Sequence, residues 1–144
     1  MQSSVNIRMP TLADASAIAT LVTELGYPST RAEIAERLAR LISMESAYVR
    51  VADINGEVIG LVTGHIFPSI HVTEVVAWLT TLVVSSKARR EGIGRLLASS
   101  CEEWAKGQGA LRLSLTSGIH RDDAHVFYTR LGYDSTGIRF TKHL

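Results

Sequence analysis

The residues with the most evident chemistry lie in one stretch, Val84-Ser85-Ser86-Lys87-Ala88-Arg89-Arg90-Glu91-Gly92-Ile93-Gly94-Arg95. Two glycines stand where a helix is expected to open directly after a β-branched, apolar run, and Arg89, Arg90 and Arg95 surround them. Glycine lets the backbone approach a bulky ligand. The free N–H groups of a first helical turn point outward, and the helix dipole favours an anion there by about 0.3–1 kcal/mol. A pyrophosphate fits this pattern, and so does a plain strand-to-helix turn with solvated arginines. Two well-known phosphate loops do not fit. A dinucleotide fingerprint needs a third glycine where Leu97 stands and an acidic residue where Thr116-Ser117 stands, and no Gly-Lys-Ser/Thr of a P-loop is present. Hydrolase chemistry lacks a nucleophile, because there is no Gly-x-Ser-x-Gly elbow and no catalytic Cys–His context. His65, His71, His120 and His125 match no zinc spacing and Cys101 is the sole cysteine, so no metal is expected.

The elements that must position this loop follow from hydrophobic periodicity. Val5 to Met9 alternates as a first strand that stops at Pro10. A helix follows, capped by Thr11 or Asp14, with Ala15, Ile18, Ala19, Val22 and Leu25 on one face and Gly26 at its end. Thr30-Arg31-Ala32-Glu33 is a capping box for a second helix that buries Ile34, Leu38, Leu41 and Ile42. From Ala47 a strand leads into Asn55-Gly56, a strong hairpin signal, and Glu57 to Phe67 returns until Pro68-Ser69 breaks it. Glu74 to Val84 is expected to be the centre of the sheet, buried on both faces. Residues 92 to 108 read as a helix with Leu96, Leu97, Ser100, Cys101 and Trp104 inward, and Leu111 to Thr116 as the parallel strand of a βαβ unit. A last helix, Asp122 to Leu131, precedes a final alternating strand carrying Ile138 and Phe140. The order is β-α-α-β-β-β-α-β-α-β. Ligands of such sheets sit at the carboxyl ends of strands, which returns attention to the loop after Val84.

Arg89-x-x-Gly92-x-Gly94, after a strand ending Leu82-Val83-Val84, resembles the signature of the GNAT superfamily of N-acetyltransferases. Ala124-His125-Val126-Phe127-Tyr128-Thr129-Arg130-Leu131-Gly132-Tyr133 resembles that family's Ala-x-x-Phe-Tyr-x-x-x-Gly-Phe segment, and the element order matches over nearly the whole chain. The resemblance implies one domain over residues 1–144, an α/β (α+β) acyl-CoA N-acyltransferase fold. Its mixed, mostly antiparallel sheet would have about 6–7 strands, flanked by about four helices. It implies acetyl-CoA as co-substrate, with its pantetheine paired to the backbone of Leu82, Val83 and Val84 like an added strand. Its pyrophosphate would be held by Arg89, Arg90, Gly92, Ile93, Gly94 and Arg95. Tyr128 falls where the family places a tyrosine near the sulfur, to protonate the leaving thiolate. Arg121 replaces an asparagine that many members carry and is assigned to the cofactor with it.

An attacking ammonium must lose a proton, and Glu74 is the first candidate base, on a strand face shared with Trp78 and Thr80 unless a bulge alters the count. The acceptor is expected between the Gly26-Tyr27-Pro28 turn and the loop joining the third and fourth strands. There Tyr27 and Trp78, with Phe67, His71 and Glu74, would form a mixed aromatic and acidic pocket favouring a cationic amine, from a small molecule or a protein. Cys101 reads as a small buried hydrophobe, so transfer by direct attack in a ternary complex is expected. A non-catalytic acyl-CoA sensor of the same fold is the alternative.

Composition agrees with an ordinary globular protein. The 144 residues are 46% hydrophobic and 20% charged, and the net charge of +1 advertises no nucleic acid. No apolar run is long enough to span a membrane, since Glu57, His65, Pro68 and Glu74 interrupt the longest candidate. A single cysteine and the lack of a signal-peptide pattern suit the cytoplasm. The final strand offers a pairing edge for a homodimer.

Overall fold

Local capping and turn chemistry set the first half of the chain. The structure is a computed structural model that describes residues 4–89, 91–118 and 121–144. Strand β1 (Asn6–Arg8) leads through a short 3-10 turn into helix α1 (Ala15–Leu25), which ends at Gly26, followed by helix α2 (Arg31–Ile42). At the start of α2 the Glu33 amide donates to Thr30 Oγ1 at 3.1 Å and the Thr30 amide donates to Glu33 Oε1 at 2.9 Å, the expected reciprocal cap. Strands β2 (Ala47–Ile54) and β3 (Glu57–Ser69) are joined by Asn55 at φ 53° and Gly56 at φ 86°, the paired positive angles that match a hairpin's twist. Arg8 braces this corner. Its guanidinium donates to both Asp14 oxygens and, at 2.9 Å, to Asp53, which accepts the Gly56 amide through its other oxygen.

Strand β4 (Val72–Val84), helix α3 (Ile93–Gly107) and strand β5 (Leu113–Ser114) complete a five-stranded sheet in the order β1-β2-β3-β4-β5, antiparallel except for the β4–β5 pair. The chain divides into two compact units, Met1–Ser114 and Leu115–Leu144; the second holds helix α4 (Asp122–Arg130). The mixed sheet, the parallel pair and the four helices match expectation, and several details differ. The sheet has five strands rather than six or seven, because no strand forms after Gly132 among the described residues. Ile138 and Phe140 are 84% and 91% exposed, and alternation without a ladder partner leaves backbone N–H and C=O groups to water. The centre of the sheet is β3, with an unbroken buried run from Ile59 to Gly64, whereas β4 is mostly half-buried. Beyond Trp78, β5 gives β4 no pairing partner, so half of β4 behaves as an edge. Strand β3 continues through Pro68, where the register jumps and no N–H is required. Leu96 is 46% exposed; the inward face of α3 is Ile93, Leu97, Cys101 and Ala105.

The two faces of the sheet are built differently. Helices α1 and α2 cover one face, packing Ile18, Leu21, Ile34 and Leu38 against Val49, Val51, Leu61 and Val83. Helix α3 covers the other, and Ala77 packs there with Ala105 and Ala110. Ala77 and Val83 have the same parity, so on a regular strand they would face the same way. They face opposite cores because Thr63 pairs with Thr81 while the next residue, Gly64, pairs with Leu79; Thr80 is the extra residue of a β-bulge.

Candidate functional site

Strand β4, past its bulge, runs directly into the glycine-bearing loop. Val83 is buried, Leu82 and Val84 are half-buried, and no strand pairs with the β5-side edge of β4 beyond Trp78 among the described residues. The loop is pinned at its root. The Ser85 amide donates to the Ile59 carbonyl at 2.8 Å, the Ala88 amide to the Ser85 carbonyl at 2.9 Å, and the Ser86 amide reaches Glu24 of α1 at 3.3 Å. Ala88 is buried, while Lys87 and Arg89 are exposed; the Arg89 Nε–H lies 3.4 Å from the Val84 carbonyl. Gly92 is the N-cap of α3 at φ +77°, and beyond its chain neighbours no atom of a described residue comes within 4 Å of where a Cβ would stand. Unlike α2, α3 has no side-chain cap and no acidic residue in its first turn. Ile93 is 1% exposed, so it can offer only its backbone N–H; Gly94 is half-buried and Arg95 exposed. Arg90, assigned to this loop, and His120 lie outside the described residues.

On the α1/α2 side, a cavity of about 760 Å³ lies between the helices and the sheet. Ile18, Val22, Leu25, Ile34 and Leu38 line its walls, and Thr63, His65, Thr80 and Thr81 give it a polar floor. The bulge explains why two consecutive residues of β4 both reach this floor. Thr63 Oγ1 and Thr80 Oγ1 are 2.8 Å apart, one hydroxyl donating to the other. Each hydroxyl has one donor and two acceptor sites, so the pair retains hydrogen-bonding capacity toward the cavity. Tyr27, 66% exposed, stands at the mouth with Pro28, Ser29 and Arg37. Trp78 is the cross-strand neighbour of His65, and neither Trp78, Glu74, Phe67 nor His71 lines the cavity. Glu74 is half-buried near the start of β4. Among the described residues that line this cavity there is no carboxylate, and the polar side chains include Arg37 and His65.

In the second unit, Tyr128 packs edge-on against Phe127, ring centroids 5.2 Å apart, and against Tyr133 at 5.8 Å. Burial raises the Tyr128 phenol above its ordinary pKa, and the nearby Arg121 guanidinium partly opposes this, so the hydroxyl stays protonated. The His125 ring is 2.9 Å from the Gly118 carbonyl, and the Ser117 hydroxyl is buried with no hydrogen-bond partner among the described residues. No group of three or more potential metal ligands occurs among the described residues.

These features can be set beside known proteins. The model of the acetyltransferase (GNAT) family matches residues 16–133. The chain belongs to the GNAT acetyltransferase family. It is similar to an aminoalkylphosphonate N-acetyltransferase of Salmonella typhimurium, 36% identical over 86% of this chain and 78% of that protein. In fold it resembles a transcriptional regulator from Bacillus halodurans, with a TM-score of 0.89 at 21% identity over 98% of this chain and 100% of that one. It also resembles the aminoglycoside N-acetyltransferase AAC(6')-Iy, solved in complex with CoA, with a TM-score of 0.87 at 14% identity over 100% of this chain and 97% of that one.

The acetyltransferase thus has an open strand edge, an uncapped glycine-headed helix and a cavity along one strand, β4. A CoA-type ligand fits what is observed: an unpaired backbone edge suits an amide-bearing chain, and the open space at Gly92 suits close approach of a phosphate. Sequence reasoning missed Arg37, Thr63, Thr81 and Ser117 and gave His65 only an ordinary polar role. The period-2 spacing of Leu61, Thr63 and His65 was the available signal, since polar residues on a core-facing strand imply a hole or a ligand above them.

Proposed function

We propose that this acetyltransferase moves the acetyl group of acetyl-CoA to a primary amine of a small molecule by direct attack in a ternary complex. One observation carries the reading: the bulge at Thr80 turns two successive β4 residues into the acceptor cavity, and the next residues, Leu82 to Val84, run along the unpaired edge. Donor and acceptor sites would then adjoin on a single strand. Acetyl-CoA supplies the activated acyl carbon; the amine nitrogen bonds to it as the carbon–sulfur bond breaks, and the thiolate takes a proton. The backbones of Leu82, Val83 and Val84 would align the pantetheine. The N–H groups of Gly92, Ile93, Gly94 and Arg95, with the Arg89 and Arg90 side chains, would hold the pyrophosphate, and Arg121 would add a cofactor contact. Tyr128 is the proposed acid, a phenol that would give its proton to the departing thiolate, and Glu74 the proposed base, acting through water because it lies off the cavity lining. Tyr27 would flank the acceptor at the mouth, and Trp78, off the lining, would support it from beside His65. Cys101 supports direct attack, since its thiol is fully buried and pushed up to about 12. A small-molecule acceptor is supported by the name of the Salmonella typhimurium relative.

The test is thiol release from acetyl-CoA across a panel of primary amines. Gly92→Val should cost about 2 kcal/mol of backbone strain at a positive φ and lower acetyl-CoA affinity at least about tenfold, read by calorimetry. Tyr128→Phe should lower kcat about 10²-fold with little change in acetyl-CoA affinity. Tight acetyl-CoA binding without turnover of any amine would favour the alternative, a non-catalytic sensor.

A further inference from the structure

We propose that the acetyl acceptor carries an anionic group, a carboxylate or a phosphonate, and that Arg37 receives it at the mouth of the cavity. The inference deepens the acetyltransferase reading and rests on it, in taking this cavity as the acceptor site. Charge is the first argument. Among the described residues Arg37 is the one lining side chain with a permanent charge, and no aspartate or glutamate lines the space. An acceptor with several ammonium groups would therefore bring cations into apolar walls that offer no counter-charge. An acceptor with one amine and one anion would find partners for both: hydroxyls and an imidazole on the floor for the nitrogen, and a guanidinium at the rim for the anion.

The state of Arg37 is the second argument. One terminal nitrogen donates to Ser29 Oγ at 3.0 Å. The other lies 3.6 Å from Glu33, too far for a good hydrogen bond, with both side chains about half exposed. Glu33 is already engaged as the reciprocal cap of α2, accepting the Thr30 amide at 2.9 Å. A guanidinium has five N–H donors in a planar fork, so Arg37 keeps donors for a planar or tetrahedral anion while Ser29 fixes its orientation. Position is the third. The helix-borne Arg37 and the strand-borne Thr80 and Thr81 line one volume, so an acceptor bound by its anion would extend its amine toward β4.

The experiment compares acceptors of matched length: ω-amino carboxylates, aminoalkylphosphonates, uncharged alkylamines and a polyamine. It uses the wild-type enzyme, Arg37→Gln and Arg37→Lys, and measures both steady-state turnover and equilibrium binding in the presence of CoA. The expected result is at least a tenfold preference in kcat/KM for one anionic series over the alkylamines. In Arg37→Gln this preference should disappear through a raised KM for the anionic series, with a cooperative thermal transition showing that the variant is folded. Arg37→Lys should restore part of it, less for phosphonate if the bidentate fork matters. Comparing the two anionic series identifies the anion. Equal or better use of alkylamines or the polyamine by the wild type, or a preference that survives in Arg37→Gln, overturns the proposal while leaving the acetyltransferase reading intact. Arg37-dependent binding of anionic amines without turnover would do the reverse, upholding the anion site and removing the acetyl-transfer reading.

Discussion

The two faces of strand β3 are opposites made from alternate residues of one segment. Toward α3 it presents Gly60 and Gly64, and the helix comes so close that a Cβ on Gly60 would stand 2.8 Å from Leu97 Cδ1 and one on Gly64 2.7 Å from Cys101 Sγ. Tyr48 and Trp104 stack beside this contact at 5.0 Å. Toward α1 and α2 the strand presents Leu61, Thr63 and His65; Leu61 packs against the helices, and all three border the cavity of about 760 Å³. The difference shows how one sheet can be rigid and receptive together. Small residues draw α3 into dry, close contact, and this fixes the strand from which polar side chains hold the other face open.

The bulge at Thr80 absorbs one extra residue of β4, so a further residue that it cannot absorb should break the contrast most severely. Deleting Thr80 would leave Ala77 and Val83 five positions apart, where simple alternation still keeps them in opposite cores, but inserting an alanine between Leu82 and Val83 turns Val83 out of its core, since a one-residue slip turns every following side chain over. We expect the insertion to cost about 4 kcal/mol or more, seen as failure to give a cooperative thermal transition. An insertion variant with an unshifted melting temperature would show that the facing of β4 does not depend on its register with β3.

The bulge is also where legibility from sequence ended. The cap Thr30–Glu33, the turn Asn55-Gly56 and the helix opening at Gly92 depend on residues within four positions of one another, and each could be read directly. An extra residue in β4 is defined only by its partner strand, so no property of Thr80 itself announces it. The missing final strand has the same origin: Ile138 and Phe140 alternate as a strand should, but alternation needs a ladder to become one. Arg37 carries no signal in the sequence, because its relation to the floor of the cavity is tertiary. Glu74 stands off the lining of this cavity for the converse reason, since closeness along a strand does not bring a side chain to one volume.

On the tight face, Gly64→Val should rank next. The added atoms would meet Cys101 Sγ and, at 3.2 Å, the Trp78 carbonyl, which is backbone and cannot swing away. About 3 kcal/mol of overpacking is expected, or a melting temperature lower by about 10 °C. Combining Gly64→Ala with Cys101→Ala should recover part of the loss of Gly64→Ala alone, because the nearest clash is removed. Additive losses would mean that the carbonyl contact dominates.

On the open face the same kind of change should be mild for the fold and visible in function. Thr63→Val keeps shape but removes the hydroxyl bonded to Thr80, which is exposed and can turn to water. Stability should fall by only about 1 kcal/mol in chemical denaturation, while kcat/KM falls about tenfold as the floor loses its fixed donor.

The smallest expected effect tests how dry the α3 face is. Burial raises the Cys101 thiol from 9.0 to about 12, with a smaller push from Glu102. Its folded pKa lies above its unfolded one, so the stability tied to the neutral thiol is complete below about pH 9. It is lost as pH rises toward 12, because the unfolded chain releases its proton first. At pH 10 the wild type should therefore have lost about 1 kcal/mol more, relative to pH 8, than Cys101→Ala has. In the same range a thiol reagent should label Cys101 only as fast as the protein opens, with the rate rising in Gly64→Ala, where the helix is pushed off the strand. Rapid labelling of the wild type at pH 8 would mean that α3 does not seal this face, and the contrast between the two sides of β3 would then be one of shape alone.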